Sequence, residues 1–389
     1  MSKTLSAFAL IGFLFFFLGC KKKENLNDID YQLNSRYQKL LEYPVDSIGF
    51  PRSMTFNPDK IIKVTSGDWT SGFFPGNLWQ LHRLTRREEY KEKAIQWTSF
   101  LEGQKYNDKT HDMGFKIYCS YGEGYKNTNN PAYKNVIITS AKTLITRFNK
   151  NVGCIRSWDF NKDKWEYPVI IDNMMNLELL FEATKITGDS TYHKIAVTHA
   201  NHTLKNHIRD NNSVYHVVVY DTITGNVKQK ITHQGFHDES SWSRGQAWCV
   251  YGFTMAYRYT KDKKYLDQAI ATSNFFINHK NLPEDGIPYW DFNAPGIPNA
   301  PKDVSAATIL SSSLFELYSY TNDEKILGFA KKVLKSLMTD EYVLEENIQA
   351  PFILRHSTGN WPKEDEIDVP LVYADYYFLE ALLRSINYK

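Results

Sequence analysis

Two aspartates sit where a charge is costly. Asp172 lies inside Val169-Ile170-Ile171-Asp172-Asn173-Met174-Met175-Asn176-Leu177, an apolar run that opens a helical pattern at 177–180. Asp112 is pressed between apolar neighbours in Thr110-His111-Asp112-Met113-Gly114-Phe115. Ionised Asp is rarely buried unless it is paired. Taken alone, Asp172 reads as the N-cap of the helix that follows it. Taken with Asp112, it makes a pair of acids in apolar surroundings, the raw material of acid/base chemistry on a sugar.

A third stretch is Trp242-Ser243-Arg244-Gly245-Gln246-Ala247-Trp248. A planar guanidinium between two indoles suits a ligand carboxylate held bidentately. A structural ion pair explains Arg244 equally well. Asp68-Trp69-Thr70-Ser71-Gly72, Ser157-Trp158-Asp159 and Thr232-His233-Gln234-Gly235 lie in loops, where binding residues concentrate. For each Trp the plain alternative is core packing.

Something must hold these loops together, and a weak internal repeat says what. Thr is followed by two mostly polar residues and, five positions on, by a large side chain. The copies begin at Thr85, Thr128, Thr187, Thr260 and Thr321 and reach Tyr90, Tyr133, Tyr192, Tyr265 and Ile326. A polar turn ends one helix, Asp or Asn caps the next, and the large residue enters the core. Apolar residues behind the turns recur at helical spacing, as in Tyr90, Ala94, Trp97 and Leu101. Terminal helices are expected at 31–43 and 371–386. That makes about six helix pairs of uneven length, which suits an all-α architecture closed into an (α/α)6 barrel with loops gathered at one mouth. Strand patterns are few. Residues 213–220 and 227–231 predict one small inserted β-hairpin. No linker divides 30–389, so one catalytic domain is expected there.

Composition removes several function classes. The chain has 389 residues and a formal net charge of +2, which gives no electrostatic footprint for nucleic acid. Aromatics make up 15% of it, enough for stacking platforms as well as core. Lys3 precedes an apolar run at 5–18, the length of a signal-peptide core and too short to span a bilayer. The run ends Phe17-Leu18-Gly19-Cys20, which resembles a bacterial lipobox. That likeness implies a signal peptide at 1–19, a lipid on Cys20 and a tether at 20–29. The lipid would be the chain's contact with the membrane, with the basic Lys21-Lys22-Lys23 favouring the periplasmic face of the outer membrane. Cys119, Cys154 and Cys249 are too few for a disulfide framework and read as buried thiols. His193, His199, His202 and His207 share one helical segment without an acid at ligand spacing, so no metal is expected. No cofactor is called for, and a monomer is expected.

Three motifs together, His111-Asp112-Met113-Gly114-Phe115, Ile171-Asp172-Asn173-Met174-Met175-Asn176 and Trp242-Ser243-Arg244-Gly245-Gln246-Ala247-Trp248, resemble glycoside hydrolase family 88, the unsaturated glucuronyl hydrolases. The likeness runs from about Trp69 to Tyr388. It implies a six-hairpin α/α barrel, in agreement with the repeat. It implies a substrate as well: oligosaccharides left by polysaccharide lyases, of chondroitin, hyaluronan or heparin type, with a 4,5-unsaturated uronic acid at the non-reducing end. By motif, Asp172 resembles the family's general acid/base and Asp112 its second essential acid. Trp69, Trp158 and Trp248 resemble stacking residues, and His199, Gln234 and Arg244 resemble contacts to the unsaturated sugar. His111 and Trp242, inside the motifs, join them as substrate-binding candidates. The family's region for recognising sulfate or the next sugar falls near 356–363, which leaves sulfate preference open. Two other readings fit the residues: a family 105 unsaturated rhamnogalacturonyl hydrolase acting on pectin fragments, and a non-catalytic glycan-binding lipoprotein.

Overall fold

The repeat acquires a mechanism in the computed structural model, which describes residues 26–388. The expected leader, Cys20 and most of the tether lie outside the described residues. At each of the five turns the Thr hydroxyl donates back to the carbonyl four residues earlier. Thr187 reaches Ala183 O at 2.7 Å and Thr260 reaches Ala256 O at 2.8 Å. The same oxygen accepts the backbone N–H two residues on, as from Asp189 and Asp262 at 3.1 Å each. The residue between adopts the left-handed conformation: Arg86, Asn129, Gly188, Lys261 or Asn322. Asn130, Asp189, Asp262 and Asp323 then cap the next helix through their side chains, as Asn and Asp do well. Arg87 stands in that place at the first turn and provides no side-chain cap.

The helices are α1 (Leu26–Glu42), α2 (Phe73–Thr85), α3 (Glu88–Ser99), a π-helix (Gly114–Gly122) that runs into α4 (Glu123–Thr128), α5 (Pro131–Ile145), α6 (Asn173–Thr187), α7 (Ser190–His207), α8 (Ser243–Thr260), α9 (Lys263–Ile277), α10 (Val304–Thr321), α11 (Glu324–Leu337) and α12 (Val372–Ser385). Packing closes a ring: α2, the π-helix, α6, α8, α10, α12 and back to α2. Around it α3, α5, α7, α9 and α11 each pack on the inner helix before them, and α1 lies against α2 and α3. The protein is an (α/α)6 barrel. Inner helices are buried nearly all round, as in α10 from Val304 to Phe315, whereas α11 buries one stripe of Ile326, Leu327, Ala330, Val333, Leu334 and Leu337.

Three small sheets decorate this frame. β1 (Phe50–Thr55) pairs with β2 (Lys60–Val64), and β3 (Phe148–Asn149) with β4 (Cys154–Ile155); the sequence pattern announces neither hairpin. The expected hairpin forms as β6 (Val217–Tyr220) and β7 (Val227–Ile231), shorter at its start than predicted. It also gains a third strand, β5 (Pro168–Ile170), antiparallel to β6 with Ile170 opposite Val217. β5 ends two residues before Asp172, so this sheet connects the Asp172 segment to a distant loop.

Candidate active site

Asp172 stands at the first turn of α6 but does not cap it: its side chain makes no capping bond. The strand before it fixes its place instead. Ile171 N donates to His216 O at 3.0 Å, and Ile170 N donates to Ser157 Oγ at 3.0 Å. Asn173 Nδ2 reaches Ile155 O at 2.8 Å. Only 9% of Asp172 is exposed. Burial pushes its carboxyl up to about 7, Arg244 and the Trp248 N–H pull the other way, and the charge of Asp112 adds a smaller upward push. The neighbouring acid is therefore a secondary cause of the shift.

Asp112 precedes the π-helix, a form often found at functional sites. Its carboxylate accepts from Thr110 Oγ1 at 2.6 Å and meets His111 Nε2 at 3.1 Å. Burial lowers the His111 pKa, so this imidazole is neutral at pH 7. Phe115 N donates to Asn176 Oδ1 at 3.1 Å, tying the π-helix to the start of α6. Gly114 makes that approach feasible, since a Cβ there would stand 2.6 Å from Asn176 Cα.

Both acids line one cavity of about 600 Å³, within the usual range for a small-molecule site. Trp69, His111, Trp158, Gln234 and Arg244 share its wall. Trp69 is half-buried against Tyr373, 4.9 Å between centroids, and Phe115, 5.4 Å. Gln234 donates to Gly359 O at 3.0 Å.

Four candidates stand elsewhere or are otherwise engaged. Arg244 lines the cavity, but its fork is taken. It donates to Asp303 Oδ2 at 2.7 Å, Thr358 O at 2.8 Å and Gly359 O at 2.6 Å, between the rings of Trp242 and Tyr373. Of the two readings of Arg244, the structural ion pair is present, and the residue still lines the cavity. His199 is fully buried on α7, where its Nδ1 accepts from Ile155 N at 3.0 Å; it braces β4 and does not line the cavity. Trp242 is buried behind the wall, packed on His216 at 4.4 Å. Trp248 lies fully buried between Phe115 and Tyr377, with its N–H on the Asp172 side.

The sequence reading passed over His216. Its Nε2 lies 3.8 Å from Asp172 Oδ2, and neither atom has another partner. Its Nδ1 accepts from the backbone N–H groups of His233 and Gln234, at 3.2 and 3.1 Å. An acceptor at Nδ1 puts the ring proton on Nε2, facing the carboxyl. Burial holds the His216 pKa well below its ordinary value, so the ring is neutral. The residue just before a β-branched run gives no sign of this. Arg52, from the unannounced β1, also reaches the cavity, over Trp69 at 6.0 Å and paired with Asp68 at 3.0 Å and Glu366 at 2.7 Å.

A buried acid of raised pKa and a second carboxylate, placed at the starts of neighbouring inner helices and lining one cavity in a closed ring of helix pairs, define a carbohydrate-active hydrolase of the α/α-barrel class. The chain belongs to glycosyl hydrolase family 88, whose model matches residues 51–256. It is 58% identical to an unsaturated glucuronyl hydrolase of Formosa agariphila, over 100% of this chain and 99% of that protein. It is 32% identical to an unsaturated chondroitin disaccharide hydrolase of Streptococcus agalactiae, over 89% of this chain and 88% of that one. A crystal structure of an unsaturated glucuronyl hydrolase specific for heparin superposes with a TM-score of 0.90 at 41% identity, covering 93% of this chain and 98% of that chain. The protein is a glycosidase, and neither the pectin-directed nor the non-catalytic reading is favoured.

Proposed function

We propose that the chain removes the 4,5-unsaturated uronic acid from the non-reducing end of lyase-generated glycosaminoglycan oligosaccharides by hydrating the C4=C5 double bond. The observation that carries this reading is Asp172: a buried carboxyl with a pKa of about 7, in the wall of a cavity of sugar-binding size. The heparin-specific and chondroitin disaccharide relatives support the substrate class.

With its pKa raised to about 7, Asp172 populates both protonation states near neutrality, which suits a group that must first give a proton and then take one. Asp172 protonates C4 of the vinyl ether, and positive charge develops at C5 and the ring oxygen. Asp112, braced by Thr110 and His111, faces that charge with a carboxylate. Water adds at C5 and returns its proton to Asp172. The resulting hemiketal opens, and the hemiacetal left at C1 releases the remainder of the chain as an alcohol. No displacement occurs at the anomeric carbon, so the two acids need not hold the separations of an ordinary glycosidase. His216 presents its Nε2–H towards Asp172 from 3.8 Å, beyond direct hydrogen-bond reach, while Trp69 and Trp158 offer ring faces to the sugar. Arg244 acts from behind, by charge on Asp172 and by holding the 358–359 segment at the cavity wall.

The test is a panel of lyase-generated disaccharides, from chondroitin, hyaluronan, heparin and pectin, followed by loss of the conjugated double-bond absorbance. Turnover of the pectin-derived compound alone would refute the substrate assignment. We propose further that the mature chain is a monomer tethered by a lipid on Cys20 to the periplasmic face of the outer membrane, a reading supported by the apolar run at 5–18 and Leu18-Gly19-Cys20. Incorporation of an alkyne-labelled fatty acid into the wild type but not into Cys20→Ser tests the tether. Light scattering of the soluble Cys20→Ser chain tests the monomer.

A further inference from the structure

Rings lead outward from Asp172 in steps. His216 meets the carboxyl at 3.8 Å, His233 lies 6.4 Å from His216, Trp158 lies 5.5 Å from His233, and Phe160 lies 5.1 Å from Trp158. Burial falls along the path. His216 is buried, His233 and Trp158 are half-buried, and Phe160 is 47% exposed. Phe160 stacks on Trp158, with 13° between their planes and 5.1 Å between centroids, and it is the more exposed ring of the pair. A single exposed Phe is ordinary. Among the described residues, though, Phe160 is the one large exposed apolar side chain that also lines the catalytic cavity. Trp165 braces it edge-on at 5.5 Å, and Lys164 stands over Trp165 at 4.7 Å. Lys109 and Lys363 line the same cavity. The outer wall thus combines a flat apolar face with the lysines, while of the acids there Asp159 is paired with Arg147 and Arg156 and Asp365 also lines the cavity.

We propose that Phe160 is a stacking platform for the third and later sugars of the substrate, with Lys164 beside it for their carboxylate or sulfate groups, so that this chain prefers unsaturated tetrasaccharides to disaccharides. The inference rests on the proposed function: the unsaturated uronic acid sits at Asp172, and the rest of the oligosaccharide leaves along the ring path. His233 also lies 6.2 Å from Phe160, so the rings form one cluster whose exposed member is Phe160. Sugar faces stack on aromatic rings for the same reasons that aromatic rings pair, through apolar area and a directional electrostatic term.

The experiment compares kcat/KM on an unsaturated disaccharide and an unsaturated tetrasaccharide from one lyase digest, for the wild type, Phe160→Ala and Phe160→Trp. The wild type should favour the tetrasaccharide. Phe160→Ala should lower the tetrasaccharide-to-disaccharide ratio about 2- to 10-fold through KM, and Phe160→Trp should retain it. A ratio unchanged in Phe160→Ala overturns the proposal. Equal losses on both substrates overturn it too, because Phe160 would then only brace Trp158. A wild type that consumes neither compound overturns the proposed function itself, and the platform with it.

Discussion

Replacing Asp172 with Asn should make the protein both inactive and more stable, and the two effects share one cause. The carboxyl is buried, and burial raises its pKa from 3.8 to about 7. Between those values the folded state holds a proton that the unfolded chain has released. Stability conferred by the neutral acid is therefore complete below pH 3.8 and lost as pH rises through 7. At 1.36 kcal/mol per pKa unit, the penalty at pH 8 is about 4 kcal/mol. The amide introduced by Asp172→Asn would carry no charge at any pH and escape most of that penalty, less what burying the amide itself costs. Thermal melts from pH 4 to pH 8 should show wild type and Asp172→Asn close together in acid and the variant ahead above neutrality. Turnover of an unsaturated disaccharide should drop about 10²–10⁴-fold, the usual worth of a general acid/base. Near-native turnover would remove Asp172 from the chemistry. Melting curves that run parallel across this pH range would show that its carboxyl ionises inside the fold without cost.

His216→Asn removes the Nε2–H that faces Asp172 and should lower kcat about 10²-fold, since displacing a reacting group by about 1 Å has that cost; it should also lower the melting temperature, because the buried ring packs on Trp242 and accepts two backbone N–H groups. Arg244→Met leaves Asp303 buried without its 2.7 Å partner and should destabilise the fold by about 3–5 kcal/mol in denaturant titration. In whatever fraction folds, loss of the Arg244 charge should move the Asp172-dependent limb of the pH–rate profile upward. Gly114→Ala places a Cβ 2.6 Å from Asn176 Cα, where backbone must shift, and should reduce both melting temperature and turnover by prising the two acids apart. An unaltered melting curve for Gly114→Ala would show that the π-helix and α6 can separate freely.

The sequence by itself settled what depends on neighbours along the chain. Thr, a left-handed residue and an Asp or Asn cap form a turn through bonds that span two to four residues, so the helix pairs, their number and the barrel they imply could be read directly. Asp172 and Asp112 stood out for a similarly local reason, as charges set among apolar residues. The tertiary structure decided what depends on partners far along the chain. His216 faces Asp172 because β5 pairs with β6 in one register, across some forty residues that carry no mark of it. Arg244 is an anchor because Asp303 and the 358–359 carbonyls arrive at its fork from another helix and another loop. His199, plausible by its motif, points instead into the wall behind β4. Spacing along the chain shows which groups are available, but their direction is set by packing between elements that meet only after the ring of helices has closed.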